Sequence, residues 1–255
     1  MDLLRVEIDG KPPTADQLAA VAFGGYGHFT AMQVRGGRVR GLDLHLARLD
    51  AANRELFGAP LDGDRVRALI RQAIGGEFPD ASVRTMVYGD LPGGPTAIAV
   101  TVRPPASPGP TRRLLPVSYQ RTVAHIKRTG DFGQAFHGRA AARRGYDDAL
   151  LIGPDGVVSE TAIANVAFFD GQTVLWPDAP MLDGITQQLV RPRLRLPARR
   201  DLVRLADLAT VAAAFTLNSQ GVAAVTLLGD RELPVHEDLM RAVTAAYDAA
   251  PWDEI

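Results

Sequence analysis

HIKRTGDFGQAFHGRAAARRG, residues His125–Gly145, is the stretch on which the reading of this chain turns. It holds Lys127, and lysine is scarce: Lys11 and Lys127 are the only lysines among 28 Lys and Arg side chains. Arginine therefore supplies the surface cations. A lysine kept in such a chain points to chemistry a guanidinium cannot perform. An ammonium can shed its proton and condense with an aldehyde, whereas arginine stays charged. Taken alone, Lys127 also reads as an ordinary surface lysine. Beyond it the pattern predicts a helix over Phe132–Arg144, with Phe132, Ala135, Phe136 and Ala140 inward and Arg139, Arg143 and Arg144 outward.

Working back toward the start, Leu3–Asp9 alternates like a strand, and Thr14–Val21 reads as a short helix or loop. A glycine-rich entry, Phe23–His28, leads into a strand over Phe29–Arg35. Gly36–Gly37 predicts a hairpin with Arg38–Gly41. Asp43 reads as the N-cap of a helix reaching Phe57, and a second helix runs from Gly63 or Asp64 to Ile74. Strands are expected at Val83–Tyr88, Ala97–Arg103 and Arg113–Ser118, separated by proline- and glycine-rich loops such as Pro104–Pro110. Residues 1–117 thus read as a small α/β domain. Residues 118–255 read as a larger domain that includes the connection between the two. There, strands are expected at Asp147–Ile152 and Val157–Glu160, then a hairpin of Asn165–Phe169 with Thr173–Leu175. A helix over Gly184–Leu194 is interrupted by Pro192. Strands at Leu202–Val203, Val211–Leu217 and Val222–Leu228 precede a closing helix, Glu237–Ala250. Closely spaced strands with few intervening helices favour an α+β fold over a doubly wound sheet.

The composition is that of a folded protein: 255 residues, 46% hydrophobic and 22% charged. A net charge of −1 without a long basic run argues against nucleic-acid binding. Cysteine is absent, which removes disulfides, thiolate catalysis and cysteine zinc sites. The five histidines show no metal-binding spacing, so no metal is expected. No apolar run near the start is long enough for a signal peptide or membrane span, and a cytoplasmic, soluble protein is the expectation.

Several residues at loops and strand ends carry chemical potential. Lys127 precedes a helix, and Glu160 ends a strand. Gly184-Ile-Thr186 opens a helix, whose backbone N–H groups suit an anion, with the Thr186 hydroxyl in addition. Asn218–Ser219 ends a strand and turns, and Arg48 lies on a helix with a fixed positive charge. Singly these are a helix start, a turn and solvated ions. Together they match pyridoxal 5′-phosphate (PLP): an amine for its aldehyde, a carboxylate for its ring nitrogen, and cation plus backbone for its phosphate.

The chain resembles the class IV (fold type IV) PLP enzymes, a two-lobed family that includes branched-chain and D-amino-acid aminotransferases and aminodeoxychorismate lyase. The resemblance covers nearly the whole chain. GHFTAMQVRGGRVRGLDLHLARLDAAN is similar to the family's strand–hairpin–helix, and its H-x-x-R-L becomes HLARL, which implies that Arg48 holds the cofactor phosphate. The family's I-K implies that Lys127 carries the cofactor as a Schiff base and moves the substrate proton. Its S-E-x-x-x-x-N implies that Glu160 binds the pyridine nitrogen, with Asn165 also in place. Its L-x-G-I-T implies that Leu182 packs on the ring while Ile185 and Thr186 bind phosphate. Asn218 and Ser219 match a later phosphate loop, and this N-S looks more like the lyase branch. The substrate side departs from the family. Val87-Tyr-Gly89 stands where T-R-G often binds a substrate carboxylate, and Gln187 stands where a basic residue follows G-I-T. Tyr26, His28, Tyr88 and His125 are substrate-side candidates. His125 lies two residues from Lys127, on the same side if the segment is extended. The resemblance implies an aminotransferase passing an amino group between a small amino acid or amine and a 2-oxo acid, working as a homodimer. A lyase that releases pyruvate, a PLP-binding protein with little catalysis, and a cofactor-free binding domain are the alternatives.

Overall fold

Period-two burial along GHFTAMQV organises the first part of the chain. The structure, a computed structural model, describes residues 2–89 and 95–255. Its internal contacts fall into two units. One holds the described residues up to Ala106 together with Ile126–Gly130 and Pro251–Ile255; the other holds Ser107–His125 and Asp131–Ala250.

In the first unit, β1 (Arg5–Ile8), β2 (Gly27–Val34), β4 (Ala81–Tyr88) and β5 (Ala97–Arg103) form an antiparallel sheet in the order β1-β5-β4-β2. Between them lie α1 (Ala15–Gly24), β3 (Arg38–Arg40), α2 (Leu42–Phe57) and α3 (Gly63–Ile74). The loop expected between β4 and β5 falls partly on residues 90–94, outside the described residues. Along β2, His28, Thr30, Met32 and Val34 are buried, while Phe29, Ala31 and Gln33 stay partly exposed. Met32 and Val34 join Leu49 and Phe57 of α2 and Val66 and Ile70 of α3 in one apolar core. Burying a Val or Ile side chain fully is worth about 1.5–3 kcal/mol, so Val66 and Ile70, with Ala73, Ile74 and the Asp62 cap, anchor α3. His28 and Thr30 bring polar groups onto that same buried face.

Two expectations change here. Gly36 and Gly37 both take positive φ, 56° and 72°, and Arg35 and Arg38 exchange backbone hydrogen bonds of 2.9 and 3.0 Å. The expected hairpin therefore exists as a tight turn, but β3 then leaves β2 and pairs with the C-terminal strand Trp252–Glu254. Arg40 stacks on the Trp252 ring there, 4.4 Å from its centre. Nor is Asp43 the N-cap of α2. Gly41 occupies that position at φ 72°, and the Leu42 N–H donates instead to Asp253 Oδ2 at 2.9 Å. Asp43 sits within the first turn, where its charge suits the helix dipole.

The second unit is built on a nine-stranded mixed sheet. Its strands are β6 (Thr111–Ser118), β7 (Asp148–Ile152), β8 (Val158–Thr161), β9 (Asn165–Phe169), β10 (Val174–Pro177), β11 (Ala198–Asp201), β12 (Ala213–Asn218), β13 (Gly221–Leu228) and the short β14 (Arg231–Glu232). The order is β11-β10-β9-β12-β13-β6-β7-β8, with β14 on β13. The expected boundary near residue 117 groups β6 with the first domain; its parallel pairing with β13 and β7 ties it to this sheet. Helices α4 (Phe132–Arg143), α5 (Ile185–Val190) and α6 (Glu237–Asp248) complete the unit.

Helix α4 does not bury the face its aromatic residues suggest. Phe132 and Phe136 are 78% and 50% exposed and stack on each other, and Ala141 is the buried residue. Ala141 packs with Leu115, Ala149, Leu151 and Ala162, so the helix meets its sheet through an alanine rather than a ring. Helix α5 ends at Val190, and a 3₁₀ turn over Arg191–Arg193 follows, because Pro192 removes a backbone donor. The strand expected at Leu202–Val203 lies earlier, at Ala198–Asp201, parallel to β10. Among the described residues no helix is long and apolar enough to cross a membrane.

Candidate active site

Lys127 belongs to the first unit because its short segment is stitched to the entry of β2. The Phe29 N–H donates to the Lys127 carbonyl at 2.8 Å, the Thr129 N–H donates to the Gly27 carbonyl at 2.8 Å, and Arg128 bridges to His28. The segment acts as an extra edge beside His28–Thr30. It places the Lys127 ammonium 4.9 Å from the centre of the Phe29 ring, which Arg84 approaches at 4.5 Å. Arg48, on α2, donates through Nη2 to the Thr30 hydroxyl, and that oxygen lies 2.6 Å from His45 Nδ1. Thr30 and His45 are buried. His45 is held well below the ordinary imidazole pKa, first by burial and then by the charges of Arg48 and Lys127. Burial does most of this, and the two charges, one fixed and one on a potential nucleophile, act in the same direction.

Of the substrate-side candidates, His28 is 1% exposed, with Nε2 3.4 Å from Asn53 Oδ1. Asn53 donates from Nδ2 to the Ala59 carbonyl at 2.8 Å, which turns its oxygen toward His28 and fixes Nε2 as the protonated nitrogen. Burial is the main cause that brings the His28 pKa down to about 4; the Asn53 bond opposes the shift and Arg48 adds to it. Tyr26 packs edge-on against Phe57, and its hydroxyl reaches the Leu56 carbonyl at 3.4 Å. Tyr88, on β4, pairs with Gly27. His125 is exposed and belongs to the other unit. The same-side argument for it fails, because residues 122–125 form a turn with Val123 at φ 50° rather than an extended segment.

The second unit gathers the remaining residues in two groups. Glu160, on β8, is 4% exposed and pairs with Arg121 Nη1 at 3.4 Å. Arg121 also reaches Asp131 through Nε at 3.1 Å, so one buried guanidinium joins two acids. The second group surrounds Asn165 at the start of β9. Its Nδ2 donates to the Leu182 carbonyl at 2.8 Å, which pins the loop Leu182–Thr186. Gly184 passes so close that an added Cβ would lie 2.1 Å from Asn165 Oδ1. Ile185 and Thr186 follow as the first residues of α5, and Gly184 offers them no side-chain cap. The Thr186 hydroxyl donates to the Asn218 carbonyl at 2.6 Å. Its proton is thus committed, and the Ile185 and Thr186 backbone N–H groups are the donors open to an anion. Asn218 Oδ1 accepts the Gln220 N–H at 2.8 Å, and Ser219 lies in the turn between β12 and β13.

Thr30, His45, Phe29, Arg121 and Asp131 escape the sequence reading. His45 alone carried a usable signal, since a spacing of three puts it on the Arg48 face of α2. The others acquire partners only through pairing between distant segments.

A model of the family described as amino-transferase class IV matches residues 27–228. A search of curated proteins returns no match. Among solved structures, the chain is similar to a PLP-bound hypothetical aminotransferase from Mycobacterium tuberculosis, at 24% identity, covering 98% of both chains with a TM-score of 0.82. It is similar to a branched-chain aminotransferase from Thermoproteus uzoniensis with norvaline, at 18% identity, covering 97% of this chain and 94% of that one with a TM-score of 0.83. It is similar also to 4-amino-4-deoxychorismate lyase from Pseudomonas aeruginosa, at 24% identity, covering 96% and 99% with a TM-score of 0.81.

Proposed function

Because this chain belongs to the class IV amino-transferase family, we propose that it is a PLP-dependent aminotransferase, moving an amino group between a small amino acid or amine and a 2-oxo acid. The observation that supports this most is the stitching of Lys127 beside β2, which sets its ammonium over the Phe29 ring, on the same strand whose Thr30 hydroxyl the Arg48 guanidinium reaches. When bound, the cofactor supplies an aldehyde for the amine and a ring that draws electrons from the substrate carbon.

Lys127 would be the attachment point for the aldehyde, and its amine the base that moves the proton of the substrate carbon. Arg48 neutralises the phosphate. The Ile185 and Thr186 N–H groups donate to it, with Asn218 and Ser219 alongside, and Asn165 keeps the loop in place. Glu160 accepts the hydrogen bond of the ring nitrogen, and Arg121 fixes the carboxylate that does so. Leu182 packs on the ring. Tyr26, His28 and Tyr88 are the substrate-side residues. His125 stays a candidate on its position before Lys127 alone.

A second reading, a lyase of the aminodeoxychorismate type, is favoured by the Asn218–Ser219 pair at the end of β12. Incubation of the PLP-loaded protein with amino donors and pyruvate separates the readings. New alanine supports transfer, and pyruvate released from aminodeoxychorismate supports lysis. A yellow protein whose spectrum ignores every amine is a PLP binder without turnover, and a colourless protein that takes up no PLP contradicts the proposal. We further read the protein as a cytoplasmic homodimer; the exposed rings of Phe132 and Phe136 are consistent with an apolar surface that a second copy covers. Sedimentation at twice the 27.3 kDa chain mass is the expected result.

A further inference from the structure

We propose that Thr30 and His45 form a relay that aims the Arg48 guanidinium, which makes both of them positioning residues for phosphate binding. The inference rests on the reading of Arg48 as the phosphate anchor. Its direction follows from counting protons. A guanidinium only donates, so the Thr30 oxygen accepts from Arg48 Nη2. A hydroxyl has one proton, and His45 Nδ1, 2.6 Å away, is placed to accept it. In this direction His45 presents a bare Nδ1 and carries its proton on Nε2. Burial and the charges of Arg48 and Lys127 hold the ring in that neutral form.

The geometry makes the relay stiff. Thr30 is 0% exposed on the core face of β2, and His45 is 3% exposed on α2. His45 and Arg48 stand one helical turn apart, so a helix-to-strand-to-helix loop of hydrogen bonds closes on the guanidinium. An arginine tied at one corner gives up less freedom when an anion arrives, and this raises affinity without any new contact to the anion. Were Thr30 and His45 merely satisfying each other in the core, their loss would change stability and leave anion preference untouched.

The test compares binding of PLP and of pyridoxal, which lacks the phosphate, by absorbance titration, with inorganic phosphate as competitor. The wild type is expected to prefer PLP, and Arg48→Gln to lose that preference. Thr30→Val should weaken PLP binding by about ten- to a hundredfold, the value of one charged hydrogen bond, and leave pyridoxal binding unchanged. Thr30→Ser and His45→Asn, which keep a hydroxyl and an acceptor, should restore most of the preference. Circular dichroism and thermal melting confirm folding, and Thr30→Ala replaces Thr30→Val if the latter does not fold. A folded Thr30→Val or Thr30→Ala that keeps the wild-type ratio of PLP to pyridoxal affinity, while Arg48→Gln loses it, overturns the relay alone. A wild type without preference for PLP overturns the Arg48 reading and the relay with it.

Discussion

Gly184→Ala is expected to dislodge the loop Leu182–Thr186. Gly184 has φ −69° and ψ 139°, a backbone any residue adopts, so the penalty is purely steric. The new Cβ would lie 2.1 Å from Asn165 Oδ1, and Asn165 cannot yield freely because its Nδ2 holds the Leu182 carbonyl at 2.8 Å. Moving Asn165 breaks that buried bond, at about 1–3 kcal/mol, and crowding the site adds about 1–3 kcal/mol. Urea unfolding, extrapolated linearly, should show a loss of about 2–6 kcal/mol, with weaker PLP binding in parallel. Asn165→Ala alone should cost about 1–3 kcal/mol through its lost bond to Leu182. On that background Gly184→Ala meets open space, and its cost should fall below about 1 kcal/mol, a coupling within the range for touching residues. An equal cost with and without Asn165, or a cost under about 0.5 kcal/mol in the single variant, refutes the reasoning.

Three further outcomes follow from single contacts. Below pH 6.5 the unfolded chain protonates His28 while the folded protein refuses the proton down to about pH 4, so His28 erodes stability as pH falls through that window, by up to roughly 3 kcal/mol. His28→Gln should flatten the corresponding part of a urea-stability curve between pH 4 and 7, and an unchanged slope contradicts the assignment. Arg121→Leu removes one partner of a buried ion pair and should destabilise by about 3–5 kcal/mol in urea; a neutral result places the pair in water. Asp253→Ala deprives the Leu42 N–H of its cap, which should cost about 1 kcal/mol, whereas Asp43→Ala should cost less.

Elements whose burial follows a simple period were legible in advance. Alternation marks β2, the i, i+4 spacing of Val66 and Ile70 marks α3, and Asp170–Gly171 marks the β9–β10 hairpin. Elements held by non-local pairing were not. Ala198–Asp201 reads ARRD, an exposed edge strand without apolar alternation, and only β10 beside it makes it a strand. The C-terminal strand has three residues and owes its register to β3, so no local pattern announces it or the Asp253 cap. On α4 hydrophobicity misled, because the side chain packed against the sheet is Ala141 and Phe132 stays exposed. The candidate site divides in the same way. Lys127, Arg48, Glu160 and Thr186 stand in recognisable local motifs. Thr30, Phe29 and Arg121 matter only through partners brought from far along the chain.

Lys127 is the amine on which the proposed chemistry depends, and the chain offers an unusually clean test because Lys11 and Lys127 are its only lysines. The purified protein is loaded with PLP, reduced with borohydride, digested and mapped by mass spectrometry. A phosphopyridoxyl group on Lys127, absent from Lys11 and lost in Lys127→Ala, is the predicted result. A group carried by Lys11, or no covalent group on a protein that has taken up PLP, contradicts the account.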